Sequence, residues 1–325
     1  MTAKNWNASY GLFSSGANWT PGGAPAPGDT LDVPSGVPIL FNQTFGSASV
    51  ASSIGLTSTD ASQPSKLVAW NTTLTNVTIN NTPFYSGPVG QWPANYTTPR
   101  HGVLLVGGTT TNDGGTITSE RYVITGQPIY DNSLDIVVAP QSTLINKGSI
   151  NAGLEDTTTV SGYGGSALEN DGRILANGGK VTISTDLTGT GSVEASGGSR
   201  SPGSLELGAA VDAGQTINLT FGSLQIDQPA SFLGQVALGR GGVVLEGLQA
   251  QSWDLSGNAM EFFDAAGAVI DTLRLATPTD PATLNVYATS NATYGSAVSV
   301  NHGFFGPGQS DTTPVLLPYY TAAAA

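Results

Sequence analysis

The sequence predicts an all-β protein whose main body is a parallel β-solenoid, or β-helix, followed by a β-rich C-terminal capping module. Three observations carry this prediction: a motif that repeats at a fixed spacing, short apolar-polar alternations that begin at glycines, and the lack of a window long enough for a confident helix. The best helix candidate is residues 258–275, which contains Gly267 and is equally compatible with two strands.

The repeated motif lies within residues 142–228. The segment 142–150, STLINKGSI, returns 24 positions later as SALENDGRI at 166–174, so both copies share the frame Leu-x-Asn-x-Gly-x-Ile. Weaker alternations that begin at glycine follow at intervals of roughly 15 to 25 residues, a spacing typical of one coil of a solenoid. These echoes occupy residues 189–195, 203–208 and 222–227.

Alternation places the apolar residues of each copy on one face of a short strand, and a single coil cannot bury that face. Stacked coils bury it, with glycine permitting the tight bends between strands. Asn146 and Asn170 then lie one above the other, which predicts an asparagine ladder of amide hydrogen bonds along the stack. An antiparallel meander with hairpins at the glycines is the alternative. The apolar residues assigned to the shared face are Leu144, Ile150, Leu168, Ile174, Leu205 and Leu207.

Composition excludes several classes of function. Charged residues make up 10% of the chain, the formal net charge is −13, and Lys plus Arg number 10, so nucleic acid and anionic membranes are poor partners. The chain has no cysteine, which removes disulfides, thiolate metal sites and cysteine nucleophiles. No apolar run approaches the roughly 18 residues of a membrane-spanning helix, so no membrane span is predicted.

Residues 1–40 are predicted to form an N-terminal capping segment. They contain Asn-Trp-Thr-Pro-Gly-Gly at 18–23 and Gly-Asp-Thr at 28–30, followed by a hydrophobic strand. This segment resembles the start of bacterial surface and secreted β-helix repeat proteins of the autotransporter-passenger-like, alphaproteobacterial type. In those proteins a Trp caps the first coil and the Gly-Asp-Thr turn starts it. The resemblance covers residues 6–33 and continues through 188–217, and it implies an architecture rather than a specific activity.

Residues 41–230 are predicted to form the solenoid, with an irregular loop at 80–101. This loop has four prolines and no periodicity, and its aromatic side chains argue against disorder. Two interpretations remain open: the aromatics stack on sugar rings or anchor a neighbouring subunit, or the loop covers an open edge of the solenoid. The contact or assembly residues predicted here are Phe84, Tyr85, Trp92 and Tyr96.

Residues 231–325 are predicted to form a C-terminal β module and tail. Apolar residues are denser over 232–275 than in the coils, which suits a module that caps a stack whose last rung would otherwise recruit another chain. The tail bears prolines and aromatic residues, and its Tyr319 and Tyr320 are predicted as further contact or assembly residues.

Motifs for catalysis, metals and cofactors are missing from the sequence. His101 and His302 form no metal-ligand pair, and there is no nucleophile elbow, phosphate loop or calcium loop. Paired carboxylates beside a Lys or Arg are the remaining route to polysaccharide cleavage, but solvated turn charges explain them more simply. No catalytic, cofactor or metal residue is therefore assigned. The acid pairs are Asp131 with Asp135, Glu155 with Asp156, Glu169 with Asp171 and Asp186 with Glu194, and the bases are Lys147, Arg173 and Lys180.

The sequence therefore predicts a structural protein and not an enzyme: a self-assembling subunit of an extracellular filament, fibre or surface layer of the adhesion or biofilm type. Its partners would be copies of itself, joined head to tail. A β-helix that binds or cleaves polysaccharide, with residues 80–101 as its platform, is the alternative. The N-terminus lacks the apolar stretch of a conventional signal peptide, so export by another route is expected, with a cytoplasmic scaffold as the alternative.

Overall fold

The computed structural model describes residues 2–8, 11–12, 15–24, 30–32, 38–40, 49–56, 65–70, 73–80, 101–120, 133–198, 201–291, 295–302 and 315–319. Over these residues the chain is all-β, as predicted, and helical structure is confined to 3-10 turns at Gly16–Asn18, Pro229–Ser231 and Pro281–Thr283. The strands in chain order are β1 (Ala3–Trp6), β2 (Gly11–Leu12), β3 (Trp19–Thr20), β4 (Thr30–Asp32), β5 (Pro38–Leu40), β6 (Ser49–Leu56), β7 (Ser65–Trp70), β8 (Thr73–Asn80), β9 (His101–Gly107), β10 (Thr109–Asn112), β11 (Thr116–Glu120), β12 (Ser133–Val138), β13 (Thr143–Asn146), β14 (Ser149–Ala152), β15 (Thr157–Gly162), β16 (Ala167–Asn170), β17 (Arg173–Asn177), β18 (Lys180–Ser184), β19 (Asp186–Thr188), β20 (Ser192–Ser196), β21 (Gly203–Leu207), β22 (Thr216–Leu219), β23 (Gly222–Ile226), β24 (Gln235–Leu238), β25 (Gly242–Glu246), β26 (Ser252–Ser256), β27 (Ala259–Phe263), β28 (Val269–Leu275), β29 (Leu284–Asn291), β30 (Gly295–His302) and β31 (Val315–Leu316).

Parallel pairing arranges most of these strands in three ladders, in which strands from successive turns of the chain lie side by side. Ladder 1 contains β10, β13, β16 and β19. Ladder 2 contains β11, β14, β17, β20, β22 and β24. Ladder 3 contains β7, β9, β12, β15, β18, β21, β23 and β25. All pairings between the described strands from β9 to β24 are parallel, apart from one antiparallel bridge, Gly198–Ser201, outside the strands, so these strands do not form an antiparallel meander.

The turns of the chain differ in length. The register of ladder 3 gives turns of 24, 23 and 24 residues from β12 to β21, and of 19 residues from β21 to β23 and from β23 to β25. In the two shorter turns Val211 and Phe232 continue ladder 1 through single parallel bridges in place of a strand. The residues that pair in succession along ladder 3 are Ser133, Thr157, Lys180, Ser204, Ser223 and Gly242.

The two copies of the repeated motif lie in register on adjacent turns. Leu144 pairs with Leu168 and Ile150 with Ile174, and all four side chains are fully buried. Burying an apolar side chain of this size contributes about 1.5–3 kcal/mol relative to leaving it exposed. The 24-residue repeat in the sequence is therefore one turn of the chain, and its apolar positions form continuous buried columns.

The weaker echoes belong to different ladders. Those at 203–208 and 222–227 contain β21 and β23 of ladder 3, in register with each other, whereas the one at 189–195 contains part of β20 in ladder 2. Leu205 and Leu207 are buried as expected, but in ladder 3 and not beside the first motif. The likeness among the echoes reflects the alternation common to all these buried strands, because alternation does not specify a position within the turn.

Gly148 and Gly172 of the repeated motif lie where adjacent turns approach most closely. A Cβ at Gly148 would collide with the Gly115 carbonyl oxygen, and a Cβ at Gly172 would collide with the Gly148 carbonyl oxygen. These two oxygens accept backbone hydrogen bonds from Ser149 and Arg173, each at 2.8 Å. Glycine at this position of the frame therefore lets adjacent turns reach hydrogen-bonding distance.

Trp6 and Trp19 form a small aromatic cluster near the N-terminus. Their rings meet edge to face with centroids 5.0 Å apart, and both side chains are buried. Strand β1 pairs antiparallel with β3, which carries Trp19, and parallel with β4. The Lys4 ammonium donates to the carbonyl oxygens of residues 21–23 at 2.9–3.3 Å. The Trp-Thr-Pro-Gly-Gly sequence thus forms a compact turn held by one buried lysine.

Strand direction changes after β25. Strand β30 pairs antiparallel with β25, and β29 and β31 continue that sheet in the antiparallel sense. Strands β26 to β28 form an antiparallel meander, and β28 returns to ladder 2 by pairing parallel with β24. The helix candidate at 258–275 is therefore two strands, and parallel stacking continues past residue 230 as far as β25.

We expect Leu168→Ala to lower the free energy of unfolding by about 2–5 kcal/mol, because it opens a cavity in the column between Leu144 and Leu187. Leu154→Ala is the matched control, since Leu154 is 45% exposed and its truncation is expected to change stability by less than about 0.5 kcal/mol. Urea unfolding followed by circular dichroism measures both. Equal losses in the two variants would contradict the stacked column.

Candidate functional site

Asn146 and Asn170 are the centre of a buried amide ladder. Asn146 Nδ2 donates to Asn170 Oδ1 at 2.8 Å, which is the hydrogen bond predicted from the repeat. Asn112 Nδ2 donates to Asn146 Oδ1 at 2.8 Å, and Asn170 Nδ2 donates to Gln215 Oε1 at 2.9 Å. All four side chains are 0% exposed. The ladder is therefore a polar column inside a largely apolar interior. Its four members lie on four of five successive turns, because the turn that contains β19 contributes none.

Asn112 and Gln215 were not found from the sequence. Asn112 follows three threonines and lacks the leucine of the frame, while Gln215 lies 45 positions after Asn170, outside the 24-residue interval. The longer Gln215 side chain also donates Nε2 to the carbonyl oxygens of Asn170 and Thr188, both at 2.8 Å. The signal that would have found them is an amide residue within four positions before a strand of ladder 2, which holds for β11, β14, β17 and β22.

The amide ladder ends at Asn112. Strand β10 pairs with β8 so that Asn112 lies opposite Leu74, whose side chain is buried and has no donor to offer. Asn112 Oδ1 is buried and has no hydrogen-bond partner among the described residues. An unpaired buried acceptor costs about 1–3 kcal/mol. Hydrogen bonds between its members therefore stabilise the column, whereas the unpaired Asn112 Oδ1 destabilises this end.

Two of the three basic residues considered for polysaccharide cleavage form ion pairs between turns. Arg173 on β17 forms an ion pair with Glu194 on β20, and Lys180 on β18 forms one with Glu206 on β21. The Arg173 and Lys180 side chains are about half exposed, and such pairs contribute roughly 0–1 kcal/mol. Within the described part of the chain, no group of three or more His, Cys, Asp or Glu side chains is placed to hold a metal ion.

Tyr319 is the one predicted contact residue that the structure describes. Its ring packs edge to face on Trp253 with centroids 4.9 Å apart, and its hydroxyl hydrogen-bonds to the Asp254 carboxylate, which raises the pKa of the Tyr319 phenol. Trp253 Nε1 also donates to the Leu317 carbonyl oxygen at 3.3 Å. The segment 315–319 is therefore fastened to the β26–β28 meander. The predicted contact residues outside the described residues are Phe84, Tyr85, Trp92, Tyr96 and Tyr320.

Exposed apolar side chains concentrate at the C-terminal end of the molecule. Val315 and Leu316 form β31, the outermost strand of the ladder 3 sheet on that side, and are 63% and 60% exposed. We call these two residues together with Tyr319 the C-terminal edge. Exposed apolar groups at the edge of a sheet favour contact with another strand or surface that buries them. Six of the eight large apolar residues exposed in the described chain follow residue 230, namely Leu233, Val269, Ile270, Val315, Leu316 and Tyr319.

Asp227 and Glu246 place two carboxyl groups at the same end of ladder 3. Ile226 pairs with Leu245, so the acids that follow them lie on adjacent turns. Glu246 is 8% exposed, and its Oε2 has no hydrogen-bond partner among the described residues. Burial and, to a smaller extent, the charge of Asp227 raise the pKa of the Glu246 carboxyl. Asp227 Oδ1 accepts a hydrogen bond from Gln225 Nε2 at 2.9 Å.

No protein-family model matches this chain, and no curated protein sequence matches it. In the described ranges, no helix has the length and apolar character needed to cross a membrane.

We expect Asn146→Ala to lower the free energy of unfolding by at least about 1–3 kcal/mol, because it leaves Asn170 Oδ1 buried without its donor. Asn177→Ala removes an amide of the same kind from an exposed position on β17 and serves as the control, with an expected change below about 0.5 kcal/mol. Urea unfolding of both variants tests the ladder, and similar losses would show that burial of the amides has no special role.

We expect Glu246→Gln to raise the melting temperature at neutral pH and to lose this advantage as the pH falls through the raised folded pKa, so that none remains below 4.5, the ordinary pKa of the carboxyl. Because the pKa of Glu246 is raised in the folded state, protonation of this carboxyl stabilises the fold. This stabilisation is complete below pH 4.5 and is lost as the pH rises through the folded pKa. Thermal unfolding across this range, without divalent cations, measures the difference. Glu261→Gln, at a partly exposed acid on β27, is the control, and an unchanged difference across pH would contradict the assignment.

Proposed function

We propose that the three ladders are the faces of a parallel β-solenoid and that the chain is a structural subunit that assembles into an extracellular filament, fibre or surface layer. The observation that supports this most directly is the C-terminal edge, where exposed apolar side chains terminate a sheet built from stacked turns. A stack of turns has two different ends, and contacts between unlike ends that do not close into a ring produce a filament.

The order of strands along the chain supports the solenoid. From β9 to β20 the chain visits ladder 3, then ladder 1, then ladder 2, and repeats this order in each turn. A chain that returns to three parallel ladders in a constant order winds as a coil, and each coil contacts mainly its neighbours. Alternate residues of the strands in these turns are buried, which is the pattern expected for side chains that point into a coil.

The antiparallel strands after β25 support a terminal module. Strand β30 lies against β25, and β28 lies against β24, so the last strand of ladder 3 and the last strand of ladder 2 are both covered by chain from the C-terminal region. We assign the chain after β25, which is the later part of the predicted module at 231–325, to a module that terminates the coil while leaving the C-terminal edge exposed. Its short outermost strand, β31, is two residues long and offers little backbone for non-specific pairing.

The strand directions specify how subunits would join. Three successive antiparallel pairings lead from β25 through β30 and β29 to β31, so β31 runs opposite to the strands of ladder 3. At the other side of the same sheet, β7 pairs with β9 and has no second partner among the described strands. In a polymer of like-oriented subunits, β31 of one copy would therefore meet β7 of the next in the antiparallel sense.

The composition suits this role. The low charged fraction, the abundance of uncharged polar residues and the net charge of −13 give a hydrated surface that resists non-specific association, so that contact is limited to specific edges. An extracellular or cell-surface location, with copies of the chain as partners, is the proposal, and an intracellular scaffold is its alternative. The polysaccharide alternative depends on residues 80–101, most of which lie outside the described residues.

We expect the purified protein to form ordered fibres visible by negative-stain electron microscopy, and we expect the double substitution Val315→Asp and Leu316→Asp to abolish them. The added charges would disrupt the apolar contact that the C-terminal edge makes with another subunit. Both side chains are exposed, so the substitutions are expected to leave the fold intact. Leu154→Asp is the matched control, because Leu154 is 45% exposed but lies between β14 and β15 in the middle of the stack. Fibre mass is measured by sedimentation and folding by circular dichroism.

Two results would count against the assembly proposal. One is a wild-type protein that remains a monomer at all concentrations, and the other is a folded double variant that forms fibres as well as the Leu154→Asp control. A stable monomer that binds or depolymerises an acidic glycan would instead favour the polysaccharide alternative.

A further inference from the structure

The pairing register of ladder 3 brings two acids close together. Adjacent strands of a ladder are about 4.7–4.9 Å apart, and Asp227 and Glu246 follow the paired residues Ile226 and Leu245. Two carboxylates on neighbouring strands repel each other, and a positive charge between them would offset this repulsion. Glu246 is also more than nine-tenths buried, and its Oε2 lacks a hydrogen-bond partner among the described residues. The register and the unpartnered Oε2 together indicate a place for a cation.

Positive charge from the protein itself is scarce in this region. Residues 201–325 contain ten Asp and Glu but only Arg240 and Arg274, so 2 − 10 gives a formal charge of −8. Arg240 precedes β25 and lies at the opposite end of that strand from Glu246. Arg274 lies on β28, where it pairs with Gln235 of ladder 2. Neither arginine is placed by the strand order beside the acid pair.

The strands packed against Glu246 add no cation. Strand β25 lies between β23 and β30, and the titratable side chains on these three strands are Glu246 and His302. His302 lies at the far end of β30, beside the start of β25, and its ring Nδ1 contacts the Gly239 carbonyl oxygen at 2.8 Å. One strand further away, Glu206 is paired with Lys180. The strand order of the described residues thus places no Lys or Arg beside the acid pair.

We propose that Asp227 and Glu246 form a binding site for a calcium ion at the end of ladder 3. Calcium is bound by oxygen ligands alone, accepts six to eight of them in irregular arrangements, and takes backbone carbonyl oxygens and water beside carboxylates. Two carboxylates suit this ion, whereas Mg²⁺ demands regular octahedral geometry and transition metals favour His or Cys ligands. The ion would neutralise the pair and hold two adjacent turns together. This inference goes beyond the proposed assembly function and does not depend on it.

Calcium-dependent thermal unfolding tests the site on the full-length protein. The protein is stripped with EDTA, and its melting temperature is followed at neutral pH and constant ionic strength as CaCl₂ is raised to about 10 mM, which covers the range of extracellular calcium sites. We expect a saturable rise in melting temperature with calcium and a weaker response to MgCl₂. In Glu246→Gln the calcium affinity is expected to fall at least about tenfold, because one of two charged ligands is lost.

Two further variants serve as a second test of the site and as a control. Asp227→Asn removes the other carboxylate and is expected to lose the calcium response as well, so the test survives if one variant folds poorly. Glu261→Gln, which removes a partly exposed acid from β27, is expected to keep the wild-type response. The proposal is overturned if calcium leaves the wild-type melting temperature unchanged, or if Glu246→Gln and Asp227→Asn respond like wild type. A melting temperature that depends on pH and not on calcium would show that the pair shares a proton.

Discussion

The backbone hydrogen bonds between adjacent turns of the chain are the contact on which the rest of this structure depends. They fix the register of ladders 1 and 2, and that register places leucine beside leucine, amide beside amide and glycine beside glycine in the two copies of the motif at 142–150 and 166–174. A slip of one residue would turn every buried side chain outward, because side chains alternate between the two faces of a strand. The apolar columns and the amide ladder are thus both consequences of one register.

Placing like residues beside like residues is favourable for some side chains and unfavourable for others. Leucine columns gain from mutual burial, and asparagines both donate and accept, so each amide satisfies its neighbours. Carboxylates repel one another, and the chain avoids this on its outer faces by placing Arg173 beside Glu194 and Lys180 beside Glu206. Asp227 and Glu246 break that pattern, which is why their position in the stack suggests an external ion.

The ends of the stack differ from its middle in strand direction and in side-chain contacts. Near the N-terminus two buried tryptophans and a lysine that binds three carbonyl oxygens hold strands β1 and β3 together. At the other end the direction of the strands reverses, and β30 covers the last strand of ladder 3. The amide ladder has an end as well, at Asn112, where Leu74 offers no donor. The unpaired acceptor of Asn112 carries an energetic cost that the interior of the ladder does not, and the C-terminal edge retains exposed apolar surface.

The sequence by itself determined the all-β class, the 24-residue turn and the contact between Asn146 and Asn170, because the spacing of a local motif directly encodes the register of identical turns. The tertiary structure decided what spacing does not encode. Leu205 and Leu207 lie in ladder 3 and not beside the first motif, Gln215 joined the amide ladder from outside the repeat, and a turn of 19 residues brought Glu246 beside Asp227. These contacts depend on the number of residues in the bends between the strands of each turn. The length of a bend produces no periodic pattern in the sequence.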